Sequence, residues 1–189
     1  MRQKDEAKAQ EILRATLEEV QASGLAGLAI EAVARNAGVA TGTVYTYFKS
    51  KEDLLDSLFR HTKLAIADVV VPHEGLAFRP AFVATVAASL DYVIEHQSEI
   101  VFMVQMANSP YLTAETKVSA TESSVRPIMA LLERGKAEQL LKALEPAWMA
   151  TFFIETIRAM APLGAGLPPA RYREFQDAVA SMCWDALRA

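Results

Sequence analysis

Residues 29–51 read AIEAVARNAGVATGTVYTYFKSK, and this stretch restricts the possible folds more than any other part of the chain. It predicts two short helices hinged at Gly38-Val39, with Thr41 as the candidate N-cap of the second. Wound as helices, Val33, Ala34, Val39, Val44 and Phe48 turn onto a small core. Thr41, Thr43, Tyr45, Thr46 and Tyr47 are left facing out, and Lys49 and Lys51 follow them. Small hydroxyls and phenols beside lysines suit a polar groove lined with phosphate. This is the layout of a helix-turn-helix whose second helix enters the major groove of DNA.

The rest of the chain is also helical in pattern. Alternating runs of β-branched residues are almost absent, so the expected class is all-α. Apolar residues make up 52% of 189, enough for a sizeable core. Ile12, Leu13, Leu17 and Val20 mark a first helix from Lys4 to Ser23, ended by Gly24. Ser50 and Asp53 resemble a capping box opening a fourth helix with the stripe Leu54, Leu55, Leu58, Phe59 and Ile66. Breakers at Val71–Gly75, Ser109-Pro110, Gly135 and Leu163–Pro168 separate longer helices over 80–96, 98–108, 114–134, 146–163 and 169–188. Pro127 predicts a kink or break in the 114–134 segment. The expected domains are a three-helix DNA-binding unit over 1–50 and a larger helical body over 51–189, the boundary falling near the fourth helix.

Net charge is −4, which argues against an unspecific nucleic-acid binder. Residues 1–63 hold nine Lys/Arg and nine Asp/Glu, so any DNA-facing charge must be local: Lys49, Lys51, and Lys4 or Lys8. The single cysteine, Cys183, rules out an intramolecular disulfide and reads as a buried, inert thiol. The first residues, MRQKDEAKAQ, lack the apolar core of a signal peptide. The apolar run Ala147–Ile154 is shorter than the ~20 residues of a membrane span. These features predict a cytoplasmic protein. His61, His73 and His96 lack metal-ligand spacing, and no phosphate loop, nucleophile elbow or HExxH motif occurs. The expectation is therefore a protein that is not an enzyme and carries no metal or other cofactor.

Several short strings stand in order within Ile12–Phe59: Val33-Ala34, Ala37-Gly38-Val39, Gly42-Thr43-Val44-Tyr45, Tyr47-Phe48 and Ser50-Lys51-Glu52-Asp53-Leu54-Leu55. This third of the chain resembles the DNA-binding domain of the TetR family of bacterial transcriptional regulators. The resemblance implies that Tyr45, Tyr47 and Lys51 contact phosphate, and that Thr41, Gly42, Thr43 and Thr46 lie nearest the base edges. Two positions depart from the pattern. Ala29 stands where a capping Thr or Ser is usual, and Glu31 where a cation is common. A carboxylate there repels phosphate or accepts a hydrogen bond from a cytosine amine.

The resemblance also implies a body that binds a small molecule and pairs two subunits. Phe82, Val86, Tyr92, Phe102, Met103, Met106, Met129 and Phe152 form an adaptable set of candidate ligand contacts, alternatively plain core. Glu155 either selects a cationic ligand from an apolar wall or pairs with Arg158 on the surface. The last two helices are apolar on more than one face, and family members pair them with their mates in a four-helix bundle. Trp148, Met160, Phe175, Val179, Met182 and Trp184 are the candidate interface residues, unless these helices are central in a monomer. The function so implied is a homodimeric, sequence-specific regulator, a repressor released from a pseudo-palindromic operator by a small apolar ligand. The rival is a helical DNA-binding or interaction module without a ligand response. No membrane partner is expected.

Overall fold

The computed structural model describes residues 2–69 and 75–189. Nine helices lie among them: α1 (Arg2–Gly27), α2 (Ile30–Asn36), α3 (Thr41–Tyr47), α4 (Lys51–Val69), α5 (Phe78–Glu95), α6 (Gln97–Ala107), α7 (Ala114–Ala137), α8 (Pro146–Gly164) and α9 (Pro169–Leu187). They form two compact units, one of residues up to Leu64 with Ser98–Thr121, the other of Ala65–Gln97 with Glu122–Ala189. Both α4 and α7 run from one unit into the other. The predicted breaker at Val71–Gly75 falls, apart from Gly75, outside the described residues.

In the first unit α2 packs on α1 and on α3. Ile12, Val33, Val44 and Leu54, one from each of α1 to α4, are buried with at most 1% exposure. Gly24 takes a left-handed φ of 74° and breaks α1, after which one further turn reaches Gly27. The hinge after α2 has a specific chemistry. Gly38 sits at φ 65°, its N–H donates to Arg35 O, and the Val39 N–H donates to Ala34 O at 2.9 Å. This pair of bonds is a Schellman motif, which satisfies the last carbonyls of α2 and turns the chain sharply into α3.

The ends of α3 and α4 differ from expectation in two details. Thr41 is the first helical residue and not the cap; extended Ala40 precedes it and gives no side-chain bond. At α4 the Ser50 Oγ accepts the Asp53 N–H at 3.2 Å, while the Asp53 carboxylate accepts the Lys49 N–H at 2.7 Å. The reciprocal bond of the capping box therefore lands one residue earlier than the usual pattern.

The second unit is built on α5, which packs against both α8 and α9. Phe82 is fully buried, with its ring edge-on to Phe153 at 5.9 Å and to Trp184 at 5.7 Å. Gly135 is not a breaker: α7 continues to Ala137, and a Cβ at Gly135 would overlap Phe78 and Leu141. The missing side chain is what lets those two residues close over the helix. Likewise α7 passes through Pro127 without a break, giving up one backbone bond, because Ile128 and Leu132 on the following turn are buried in the core. The C-terminus is pinned where Lys142 N–H donates to Leu187 O and Ala189 N–H to Leu140 O.

Candidate nucleic-acid interface

The face of α3 follows from its short sequence. Val44 (1% exposed) and Phe48 hold the helix to the core, so the opposite side must be open. Gly42, Tyr45, Thr46 and Lys49 are exposed, with Tyr45 at 51%. The spacing of Gly42, Tyr45 and Thr46 by three and four residues puts these three on one helical stripe, and Lys49 follows beyond the extended Phe48. Thr41, Thr43 and Tyr47 are half-buried along its flanks. Thr46 donates to Gly42 O at 3.1 Å. A Cβ added at Gly42 meets nothing within 4 Å inside the protein. Packing therefore does not require glycine at this position.

That observation gives a clean test. Gly42→Ala should leave the melting temperature unchanged or raise it, since alanine favours a helix by up to ~1 kcal/mol. If the backbone at Gly42 approaches DNA closely, the same change should weaken operator binding at least about ten-fold, equivalent to ~1.4 kcal/mol. Melting followed by circular dichroism and titration of labelled DNA separate the two effects. Unchanged DNA affinity would remove Gly42 from the interface.

The charges around α3 are sparse. Lys49 is exposed at its end, and Arg35 is exposed in the last turn of α2. Arg35 escaped the sequence reading, although its i,i+4 relation to Glu31 places both on one side of α2. Ala29 is confirmed as an uncapped helix start, with the Ala32 and Val33 N–H groups sharing its carbonyl at 3.1 Å. Lys51 does double work: its ammonium donates to Ala26 O at 2.9 Å and lies 5.8 Å from the centre of the Tyr111 ring. An ammonium has three donors, so these contacts tie α1 to α4 and still leave donors for a phosphate. Further along α4, Arg60 pairs with Asp56 at 2.9 Å and donates to Thr116 Oγ1 at 2.6 Å.

The body candidates fall in both units. Phe102, Met103 and Met106 are buried on α6 in the first unit. Phe82 and Val86 belong to the core of the second unit, and Met129 packs half-buried against it. Tyr92 is buried but stands outside that core cluster. Phe152 and Glu155 lie on the exposed face of α8, where Glu155 pairs with Arg158. Of the interface candidates, Val179 is fully buried and Trp184 packs on Phe78 and Phe82. Met160 and Phe175 are half-buried. Trp148 (68% exposed), Leu163 (65%) and Met182 (51%) are open, and Leu163 was not anticipated. Burial pushes the Cys183 thiol up to about 11, so it stays protonated and unreactive. Among the described residues no three His, Cys, Asp or Glu side chains group as metal ligands, and no helix is long and apolar enough to cross a membrane.

A short helix presenting Gly42, Tyr45 and Thr46 beyond a Schellman hinge, joined to a second helical unit, defines a helix-turn-helix protein of the all-α class. Residues 12–58 match the family model described as bacterial regulatory proteins of the TetR family. That match spans the helix-turn-helix region, about a quarter of the chain. A fatty acid metabolism regulator protein of Bacillus subtilis is 43% identical over 53 residues, 28% of this chain and 27% of that protein. The chain thus aligns with about a quarter of that relative's length. Solved structures extend the likeness over the whole chain. A TetR-family transcription regulator of Shewanella superposes with a TM-score of 0.79 at 25% identity, covering 96% of this chain and 98% of that one. One from Marinobacter aquaeolei reaches 0.85 at 22% identity, covering 100% and 99%, which establishes the fold.

Proposed function

We propose that this protein is a sequence-specific DNA-binding transcriptional regulator, a repressor that works as a homodimer and is released by a small, largely apolar effector. The observation that carries the reading is the open face Gly42, Tyr45 and Thr46 on α3, followed by exposed Lys49 and held from behind by Val44 and Phe48. Thr41, Thr43 and Thr46 read base edges, where hydroxyl and methyl groups discriminate thymine and adenine. Tyr45, Tyr47, Lys51 and Arg35 fix register on the phosphates. Two copies of α3 about 34–36 Å apart meet successive major grooves of a pseudo-palindrome.

The pairing face is the outer side of α8 and α9, with Trp148, Phe152, Leu163 and Met182 as its apolar members. Phe152 serves this face rather than a ligand wall, and the exposed Glu155–Arg158 pair lies on it. Effector binding in the body acts on DNA through α4, which is one continuous helix from Lys51 to Val69. Linkage makes the effect reciprocal, so operator DNA weakens effector binding by the same factor. The regulatory role calls for no catalytic step, and the protein works in the cytoplasm beside the chromosome.

Lys51→Ala tests the docking. Affinity for all DNA sequences should fall about equally, and the slope of log K against log salt should drop by about 1. An unchanged slope and affinity across several salt concentrations would leave Lys51 as a tie between α1 and α4 alone, and the docking would be wrong.

A further inference from the structure

α5 carries polar, partly buried residues where a core helix should be apolar. Asp91 and Ala87 face α9, since the Tyr172 hydroxyl donates to Asp91 at 2.7 Å and the Gln176 amide to both Asp91 and the Ala87 carbonyl. Nearly opposite them, at 100° per residue, Thr85, Ser89, Tyr92 and His96 fall within an arc of about 60°. Thr85 is 3% exposed and spends its hydroxyl proton on Ala81 O at 2.9 Å. The Tyr92 and His96 rings stack with centroids 4.2 Å apart. Tyr92 stands outside the aromatic core that α5 shares with α8 and α9. The Ser89 Oγ is sealed from solvent and has no hydrogen-bond partner in the protein.

A serine in a helix ordinarily bonds the carbonyl four residues back, as Thr85 does here. A sealed hydroxyl without a partner destabilises the fold unless something else satisfies it. We propose that this stripe is the polar wall of the effector site, and that Ser89 donates a hydrogen bond to a carbonyl or carboxylate oxygen of an otherwise apolar effector. The inference rests on the effector response proposed above and names the chemistry of the effector's polar end. The apolar remainder of the molecule supplies affinity, and Ser89 supplies the choice between an oxygen-bearing chain and a plain one.

The test uses the full-length dimer, its operator, and three probes of one chain length: undecane, 2-undecanone and undecanoate. Melting temperature and release of labelled operator are read for native protein, Ser89→Ala and Ser89→Thr. Ligand-free Ser89→Ala should melt at least about 2 °C higher than native, because an unsatisfied hydroxyl has been removed. Native protein should respond to the ketone or the carboxylate at about ten-fold lower concentration than to the alkane. Ser89→Ala should lose that preference, and Ser89→Thr should keep it. A response to the ketone alone assigns a neutral oxygen; a response to undecanoate alone assigns an anionic one. If undecane releases DNA as well as either oxygenated probe in native protein and Ser89→Ala alike, the inference is overturned while the effector response stands. If no probe moves either melting or DNA release, both fail, and DNA binding is untouched.

Discussion

Met182→Glu and Phe152→Glu are each expected to turn a dimer of twice the 20.7 kDa chain mass into a folded monomer. Both side chains are exposed on the outer faces of α9 and α8, so neither change disturbs the protein's own core. Pairing would bury an unpaired carboxylate, a loss on the order of several kcal/mol per ion. Operator affinity should then fall by 100-fold or more, since a single α3 contacts one half-site without the help of its mate. Light scattering at micromolar concentration and DNA titration read the two outcomes. Phe175→Glu would be a poorer choice, because Phe175 is half-buried and its ring lies where a Cβ on Gly164 would stand. A native protein that scatters as a monomer would contradict the pairing outright.

Phe82→Ala is expected to lower stability by about 3–5 kcal/mol. The ring is fully buried between Phe153 and Trp184, so its removal leaves a cavity that rigid aromatic neighbours fill poorly. The melting temperature should fall by roughly 6–20 °C for a chain of this size. Urea unfolding followed by far-ultraviolet circular dichroism gives the free energy directly. A loss under about 1.5 kcal/mol would mean that Phe82 lacks packed neighbours on one side, as a residue at a cavity wall would.

The DNA-binding third was the most legible part of the sequence, and the reason is local. Gly38, Val39, Val44 and Phe48 specify a hinge and a helix face through bonds and contacts no more than about a turn or two away. The body was legible as helices and illegible as surfaces. Trp148 and Trp184 both sit in apolar helical runs, yet one is open and the other is wedged against Phe78 and Phe82. Periodicity gives a stripe, but which stripe meets a neighbour depends on helices far away in sequence. Gly135 shows the same limit. Read alone it ends a helix; in the fold it makes room for Phe78 and Leu141. Thr41 was misread as a cap because its type fits the role, whereas the turn out of Val39 places the extended residue at Ala40. The spacing of Thr85, Ser89, Tyr92 and His96 is visible in the sequence, but that the Ser89 hydroxyl is sealed without a partner depends on how α5 packs.

Sequence-specific recognition by α3 is the central claim, and selection of bound DNA from a random pool tests it most directly. The native protein should enrich a pseudo-palindrome whose half-sites are centred about one helical turn of DNA, or a multiple of it, apart. It should bind that site at least about 1,000-fold more tightly than random DNA at physiological salt. Recovery of sequences without a shared motif, bound no better than the starting pool, would contradict the account.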